Sequence, residues 1–195
     1  MSAEADESGP RTAVVLDVLP HGRADDDRPR YRRSPLAQVL EHDGFRLQEL
    51  VLEDGGMLGI GDEVQIEPAG PPIEVVRSLD YEDLSGGARS ELEPVVESFV
   101  EADEARLVEF YNEAGPVSLR LHQLNLLPGV GDKLRDNILE ARKRRPFESL
   151  DDLHERIPGL HHPRDVVVER IMEELEGRDV KYKLFVRNQQ VTRER

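Results

Sequence analysis

The residues best suited to chemistry are Pro128-Gly129-Val130-Gly131-Asp132-Lys133, set directly before an aliphatic helical run of Leu134, Ile138, Leu139 and Ala141. Two glycines let the backbone turn without Cβ clashes, and Val130 between them points inward and pins the turn to the core. The amide hydrogens near Gly129, Gly131 and Lys133 then lack helical acceptors. They face outward at the positive end of a helix over Asp132 to about Arg145, which suits a phosphate oxygen. Lys133 adds a charge-assisted contact, and Arg135 reaches a neighbouring phosphate. This arrangement grips an anion but breaks no bond. Contacts to a sugar-phosphate backbone carry no sequence information, so the expected preference is for shape, such as a minor groove or a junction. The segment is not a dinucleotide fingerprint, because no strand precedes it and the third glycine is missing.

Helices must hold that turn in place. Leu119, Leu121, His122 and Leu124 to Leu127 predict a short helix ahead of it. The order resembles the helix-hairpin-helix family, in which an apolar first helix, a Gly-X-Gly hairpin and an aliphatic second helix recur. One hairpin is too small to stand alone, and 147–176 supplies a second copy. Ser149 is its N-cap, with Asp152 at the third position, and Leu150, Leu153 and Ile157 face inward. Pro158-Gly159-Leu160 repeats Pro128-Gly129-Val130. His161-His162-Pro163 then replaces a second glycine, before a closing helix through Val166, Val167, Ile171, Met172 and Leu175. The repeat is degenerate, with Gly159 its counterpart contact. Phe147 and Ser149 to Leu153 resemble the segment joining tandem hairpins in DNA-repair proteins. Arg142-Lys143-Arg144-Arg145 is a strong basic cluster; it either complements the dipole at the helix end or extends an anionic track.

The preceding chain has a different period. Residues 1–12 read as a disordered acidic tail. Ala13–Leu19, Arg46–Glu53, Val64–Glu67 and Ile73–Arg77 read as short strands separated by Gly and Pro turns, predicting a small β-barrel over 13–80. Leu36, Val39, Leu40 and Phe45 show little periodicity, and His21–Pro35 is a long polar loop holding Asp25-Asp26-Asp27 and Arg28, Arg30, Arg32 and Arg33. Leu92, Val95, Val96, Phe99 and Val100 mark an amphipathic helix. A break near 101–103 separates it from another helix through Tyr111, giving a helical bridge over 81–116. Residues 177–195 read as an extended C-terminal segment in which Lys181-Tyr182-Lys183-Leu184-Phe185-Val186 either docks one side or presents Lys181, Lys183 and Arg187 as a second backbone contact.

Charge separates these regions. The 195 residues carry a net charge of −15. Residues 1–114 hold ten Arg and no Lys against 27 carboxylates, a net of −17, whereas 115–195 hold sixteen basic and fourteen acidic groups, a net of +2. The halves are therefore expected to do different work. Only four of the 26 basic residues are Lys, a composition that resembles proteins of salt-accumulating archaea. There the Debye length is about 3 Å, so net charge says little about whether the partner is an anion.

Other functions lack residues. The chain has no Cys, which removes thiolate chemistry, disulfides and Cys-bearing zinc sites. Its six His show no ligand spacing, so no metal is expected. His161-His162 reads as a polar loop, and His154 beside Asp151 and Asp152 as solvated. No nucleophile sits at recognisable spacing from a base, so the chain is not read as an enzyme and no cofactor is expected. No apolar run approaches about 18 residues and the first residues are polar, predicting a cytoplasmic protein away from membranes.

The full order of motifs narrows the resemblance. Gly61-Asp62-Glu63-Val64, Tyr81-Glu82-Asp83-Leu84, Phe110-Tyr111-Asn112, Arg120 to Leu124, Leu126 to Lys133, Arg145-Pro146-Phe147 and Lys181 to Val186 look like an archaeal family of unknown function, DUF655, across about 12–187. That resemblance implies an α+β fold, with an OB- or S1-like barrel ahead of all-helical tandem hairpins, and no established activity. The expected partner is DNA or structured RNA. The alternative is a protein-interaction scaffold in a replication, repair or translation assembly.

Overall fold

The computed structural model describes residues 9–177 and 180–187. Five strands, β1 (Arg11–Leu19), β2 (Leu36–Glu41), β3 (Leu47–Leu52), β4 (Glu63–Glu67) and β5 (Ile73–Ser78), form one antiparallel sheet in the order β4-β1-β2-β3-β5. The sheet folds around Ala13, Val15, Ala37, Val39, Leu50, Leu52, Ile66 and Ile73. The β1–β2 register shifts between Val15 and Asp17, and an extra residue of that kind bends a strand and raises its twist. The acidic tail expected over 1–12 ends earlier, since Arg11 and Thr12 belong to β1 and pair with β4; residues 1–8 of that tail lie outside the described residues.

β2 is the strand that apolar alternation does not reveal, because its polar side chains are also buried. Gln38 donates through Nε2 to the Asp83 carbonyl at 3.2 Å and accepts from the Ser85 amide at 2.8 Å. Glu41 is fully buried and receives Arg46 through Nε at 2.6 Å and Nη2 at 2.8 Å, with Arg11 at 3.4 Å. In β3, the buried Glu49 accepts from Arg23 Nε at 2.7 Å. A buried charge is tolerated only when paired and hydrogen-bonded, and each of these carboxylates is.

Helix α1 (Gly86–Ala102) begins at Ser85, whose Oγ accepts the Ala88 amide at 2.9 Å and donates to Asp17 at 2.5 Å. Ala88, Leu92, Val96, Phe99 and Val100 are its buried face. It stops at Ala102, and α2 (Glu104–Glu113) buries Leu107, Val108 and Tyr111, so the interruption falls where the apolar spacing places it.

The helix expected over Leu119–Leu127 is different. Pro116–Ser118 (β6) and Leu121–His122 (β7) form a two-stranded ribbon, followed by a single 3-10 turn over Gln123–Leu126. Leu119 lies fully exposed at the ribbon's tip. Two hydrogen bonds set this geometry: Gly115 donates to Gln123 Oε1 at 2.7 Å, and Gln123 N donates back to the Gly115 carbonyl at 2.9 Å. Apolar residues at near-helical spacing were here serving a short ribbon and one turn.

Three helices follow: α3 (Asp132–Arg144), α4 (Leu150–Arg156) and α5 (Pro163–Glu176). Ser149 caps α4 by accepting the Asp152 amide at 3.0 Å. Residues 180–187 are neither helix nor strand, and 178–179 and 188–195 of the expected C-terminal segment lie outside the described residues. The chain divides into two compact units, one holding residues up to Leu92 together with Arg187, the other Glu93–Val186. That division falls inside α1, not at the expected boundaries of 80 and 116.

Candidate nucleic-acid interface

Leu127-Pro128-Gly129-Val130 makes a tight turn. Val130 N donates to the Leu127 carbonyl at 3.1 Å, and Gly129 sits at φ +75°. Proline at the second place and a positive-φ glycine at the third are what a type II turn requires. Leu127 and Val130 are buried, so the turn hangs from the core by its two ends while Gly129 stays exposed. Gly131 is the N-cap of α3 in extended conformation. The first bond back into the helix is Arg135 N to the Gly131 carbonyl at 2.9 Å. Among the described residues, the amides of Gly129, Gly131, Asp132 and Lys133 have no acceptor, and all four residues are exposed. A 13-residue helix therefore ends in free, outward N–H groups with a lysine at its second position.

The turn occurs twice. In Ile157-Pro158-Gly159-Leu160, Leu160 N donates to the Ile157 carbonyl at 3.2 Å and Gly159 has φ +93°. Ile157 and Leu160 are buried like their counterparts. The copies differ afterwards. His162 takes the left-handed conformation at φ 47°, and Pro163 opens α5. Proline brings no N–H, so the second turn presents fewer donors. His154 Nδ1 lies 3.0 Å from the Leu160 carbonyl and its ring stacks on His162 with centroids 6.2 Å apart, so these histidines brace the turn.

The predicted basic residues separate into groups. Lys133 is exposed and forms no ion pair among the described residues. Arg135 is occupied: Nη1 bonds Asp132 at 2.9 Å and Asn125 at 3.1 Å, and Nε bonds Asp136 at 2.9 Å. It must exchange these partners to reach a phosphate. Arg142 turns inward and donates to the Tyr111 carbonyl at 3.1 Å; burial lowers its pKa. Arg145 holds Glu148 at 2.6 Å and Asp152 at 2.9 Å. Lys143 and Arg144 remain on the surface. With a rise of 1.5 Å per residue, Arg144 lies roughly 17 Å along α3 from Lys133, too far for both to touch one phosphate. Among the described residues, the side chains of this cluster take none of the carbonyls at the end of α3, although the Arg145 amide donates to that of Ala141 at 3.3 Å. Arg156 takes those of Ala141 at 2.8 Å and Arg145 at 2.7 Å, with its guanidinium 4.5 Å from the Phe147 ring centroid. Sequence spacing could not reveal Arg156, because its targets lie on another helix.

His122 is a second residue without a sequence signal. Its Nδ1 accepts the Leu124 amide at 3.1 Å and so caps the 3-10 turn leading into Leu127. That acceptor exists only on the neutral ring. Burial lowers the His122 pKa below its ordinary 6.5, with Arg142 and Arg135 adding to the effect. Because the unfolded chain binds the proton more tightly, the cap's contribution is complete above about pH 6.5 and is lost as pH falls through the lower folded value. Thermal stability should therefore decline as pH falls below about 6.5. His122→Asn, which keeps an acceptor without a titrating ring, should remove this part of the decline. An imidazole titration midpoint above 6.5 would contradict the assignment.

Among the described residues, no group of three or more His, Asp or Glu side chains could hold a metal ion, and no helix is long and apolar enough to cross a membrane. An antiparallel five-stranded sheet followed by helices bearing two Pro-Gly turns defines an α+β protein. The chain belongs to the family described as a protein of unknown function, DUF655, whose family model matches residues 10–187. The uncharacterized protein MJ0038 of Methanocaldococcus jannaschii is 37% identical over 178 residues, covering 90% of this chain and 79% of that protein. The crystal structure of Af1531 from Archaeoglobus fulgidus, titled family-model DUF655, is similar at a TM-score of 0.76 and 42% identity. The match covers 90% of this chain and 99% of that one.

Proposed function

We propose that this protein binds nucleic-acid backbone without catalysis, holding a phosphate oxygen with the amides of Gly129, Gly131, Asp132 and Lys133. One observation carries the reading: these donors are free and exposed at the positive end of a helix, beside a lysine with no competing carboxylate partner. A phosphate there gains charge-assisted hydrogen bonds and a favourable dipole together. The two matching Pro-Gly turns support a finer description as tandem helix-hairpin-helix motifs in which the first motif's leading helix has shrunk to one 3-10 turn. The strand order is that of a five-stranded barrel opened between β4 and β5, which supports an OB-like description of the sheet.

The test is titration of the full chain against duplex DNA and against a structured RNA hairpin along a salt series. Backbone binding lowers the affinity steadily with salt, with a slope on logarithmic axes of about −0.9 per phosphate engaged on B-DNA. Scrambling the base sequence should leave affinity within about twofold, since phosphate contacts carry no sequence information. Absence of binding to both at every salt concentration would end the proposal and favour the protein-scaffold alternative.

A further inference from the structure

Residues 1–92 contain nine Arg, and five of them fall within the loop between β1 and β2, at 23, 28, 30, 32 and 33. Residues 28–33 contain no carboxylate. Three of these arginines build the loop. Arg28 grips Asp26 with Nε at 3.0 Å and Nη2 at 2.7 Å, an interaction that holds the Asp26 carboxyl at about 2. Arg33 donates to the carbonyls of Arg28 at 2.6 Å and Arg23 at 3.1 Å. Arg23 anchors the loop to buried Glu49. Between these braces, Arg30–Arg32 forms a 3-10 turn closed by Arg33 N to the Arg30 carbonyl at 3.2 Å.

The other two arginines are unspent. Among the described residues, the side chains of Arg30 and Arg32 make no hydrogen bond or ion pair. Between them Tyr31 is 82% exposed, and the Arg32 guanidinium lies 5.6 Å from its ring centroid. A folded chain seldom leaves an aromatic ring so open, and here the surrounding loop holds it there. We infer that this turn is a second binding site, one that takes single-stranded nucleic acid by stacking an unpaired base on Tyr31 while Arg30 and Arg32 contact the flanking phosphates. Arg32 adds cation–π support. An acidic peptide could satisfy the guanidiniums but would leave the ring unused. Stacking also survives where salt screens charge, which suits the chain's acidic, lysine-poor composition. The site is independent of the Gly129–Lys133 reading and lies in the other unit.

The test uses the full chain and fluorescein-labelled oligo-U and oligo-dT, followed by anisotropy along a potassium chloride series. Tyr31→Ala should weaken binding about tenfold, within the range of roughly 5- to 160-fold that one stacked base contributes, and Tyr31→Phe should stay within about twofold of wild type. Arg30→Ala with Arg32→Ala should reduce the salt slope by about 1.4, two phosphates' worth on a single strand. Tyr31→Ala should leave duplex affinity unchanged. The inference is overturned if the wild-type chain ignores single strands, or if Tyr31→Ala binds them like wild type. It is also overturned if a polyglutamate peptide binds as well as the oligonucleotides and is indifferent to Tyr31→Ala. Single-strand binding through Tyr31 without any duplex binding would support this site while removing the hairpin reading.

Discussion

Gly131→Asp should leave the chain folded and remove most of the duplex binding proposed for it. The two effects separate for a structural reason. Gly131 lies at φ −81° and ψ −179°, in the N-cap position of α3, and no atom lies within 4 Å of the place a Cβ would occupy. Aspartate is among the best N-cap residues, so stability should hold or rise slightly. Its carboxylate, however, would accept from the amide of Lys133 or Leu134 and place a negative charge at the proposed phosphate position. Hydrogen bonds to charged groups contribute about 1.5–3 kcal/mol each, so losing one or two of them weakens binding by roughly 10- to 100-fold or more. Gly131→Ala adds the Cβ without the charge and should keep affinity within about threefold. Equal loss in both variants would point to shape instead of the amides. Unchanged affinity in Gly131→Asp would remove the site.

The largest stability effect is expected at Glu174. This carboxylate on α5 is 1% exposed and accepts the amides of Leu184 at 2.7 Å, Phe185 at 3.0 Å and Val186 at 2.9 Å. Arg170, one turn earlier, bonds it at 2.9 Å and also donates to the Tyr182 carbonyl at 2.5 Å. One ion pair thus fastens residues 182–186 to the helix, and Phe185 rests against Phe110 with ring centroids 5.0 Å apart. Glu174→Ala strands three amides and takes one partner from the buried Arg170 guanidinium, which keeps Glu173 at 3.3 Å and the Tyr182 carbonyl. Breaking a buried pair costs about 3–5 kcal/mol, a large share of the roughly 5–15 kcal/mol that holds a domain folded. The melting temperature should fall by on the order of 15 °C, and the Leu184, Phe185 and Val186 amides should lose protection from hydrogen exchange. Glu174→Gln should also destabilise, since an amide NH2 would face backbone donors. Arg170→Met with Glu174→Leu should recover only the guanidinium's share. A loss under about 1 kcal/mol with the three amides still protected would contradict this role.

Particular residues show why some of this was legible in the sequence. The Pro-Gly-Val-Gly turn could be read because proline and positive-φ glycine act locally, and the Ser149 cap because the amide it accepts, that of Asp152, lies three residues away. The break between α1 and α2 followed from apolar spacing. β2 was hidden because Gln38 and Glu41 are buried polar residues satisfied by Ser85, Asp83, Arg46 and Arg11, partners outside any periodic pattern. Leu119 to Leu127 misled because a ribbon and a 3-10 turn also space apolar residues by three or four. Among the candidate bases, a basic run gives positive charge but not direction. Arg142 and Arg145 proved occupied by Tyr111, Glu148 and Asp152, and only the folded chain shows that Lys133 is the uncommitted one beside the free amides. The Arg30–Arg32 turn read as a polar loop for the same reason: the braces that expose Tyr31 are tertiary contacts.

The central assignment rests on individual N–H groups, and nuclear magnetic resonance observes each of them. With 15N-labelled full-length protein titrated with a short DNA duplex, the amides of Gly129, Gly131, Asp132 and Lys133 should shift first and furthest. Their saturation should track the binding isotherm and weaken with added salt. If those four amides stay in place while the duplex binds and shifts resonances elsewhere, the anion site proposed at the first turn does not exist.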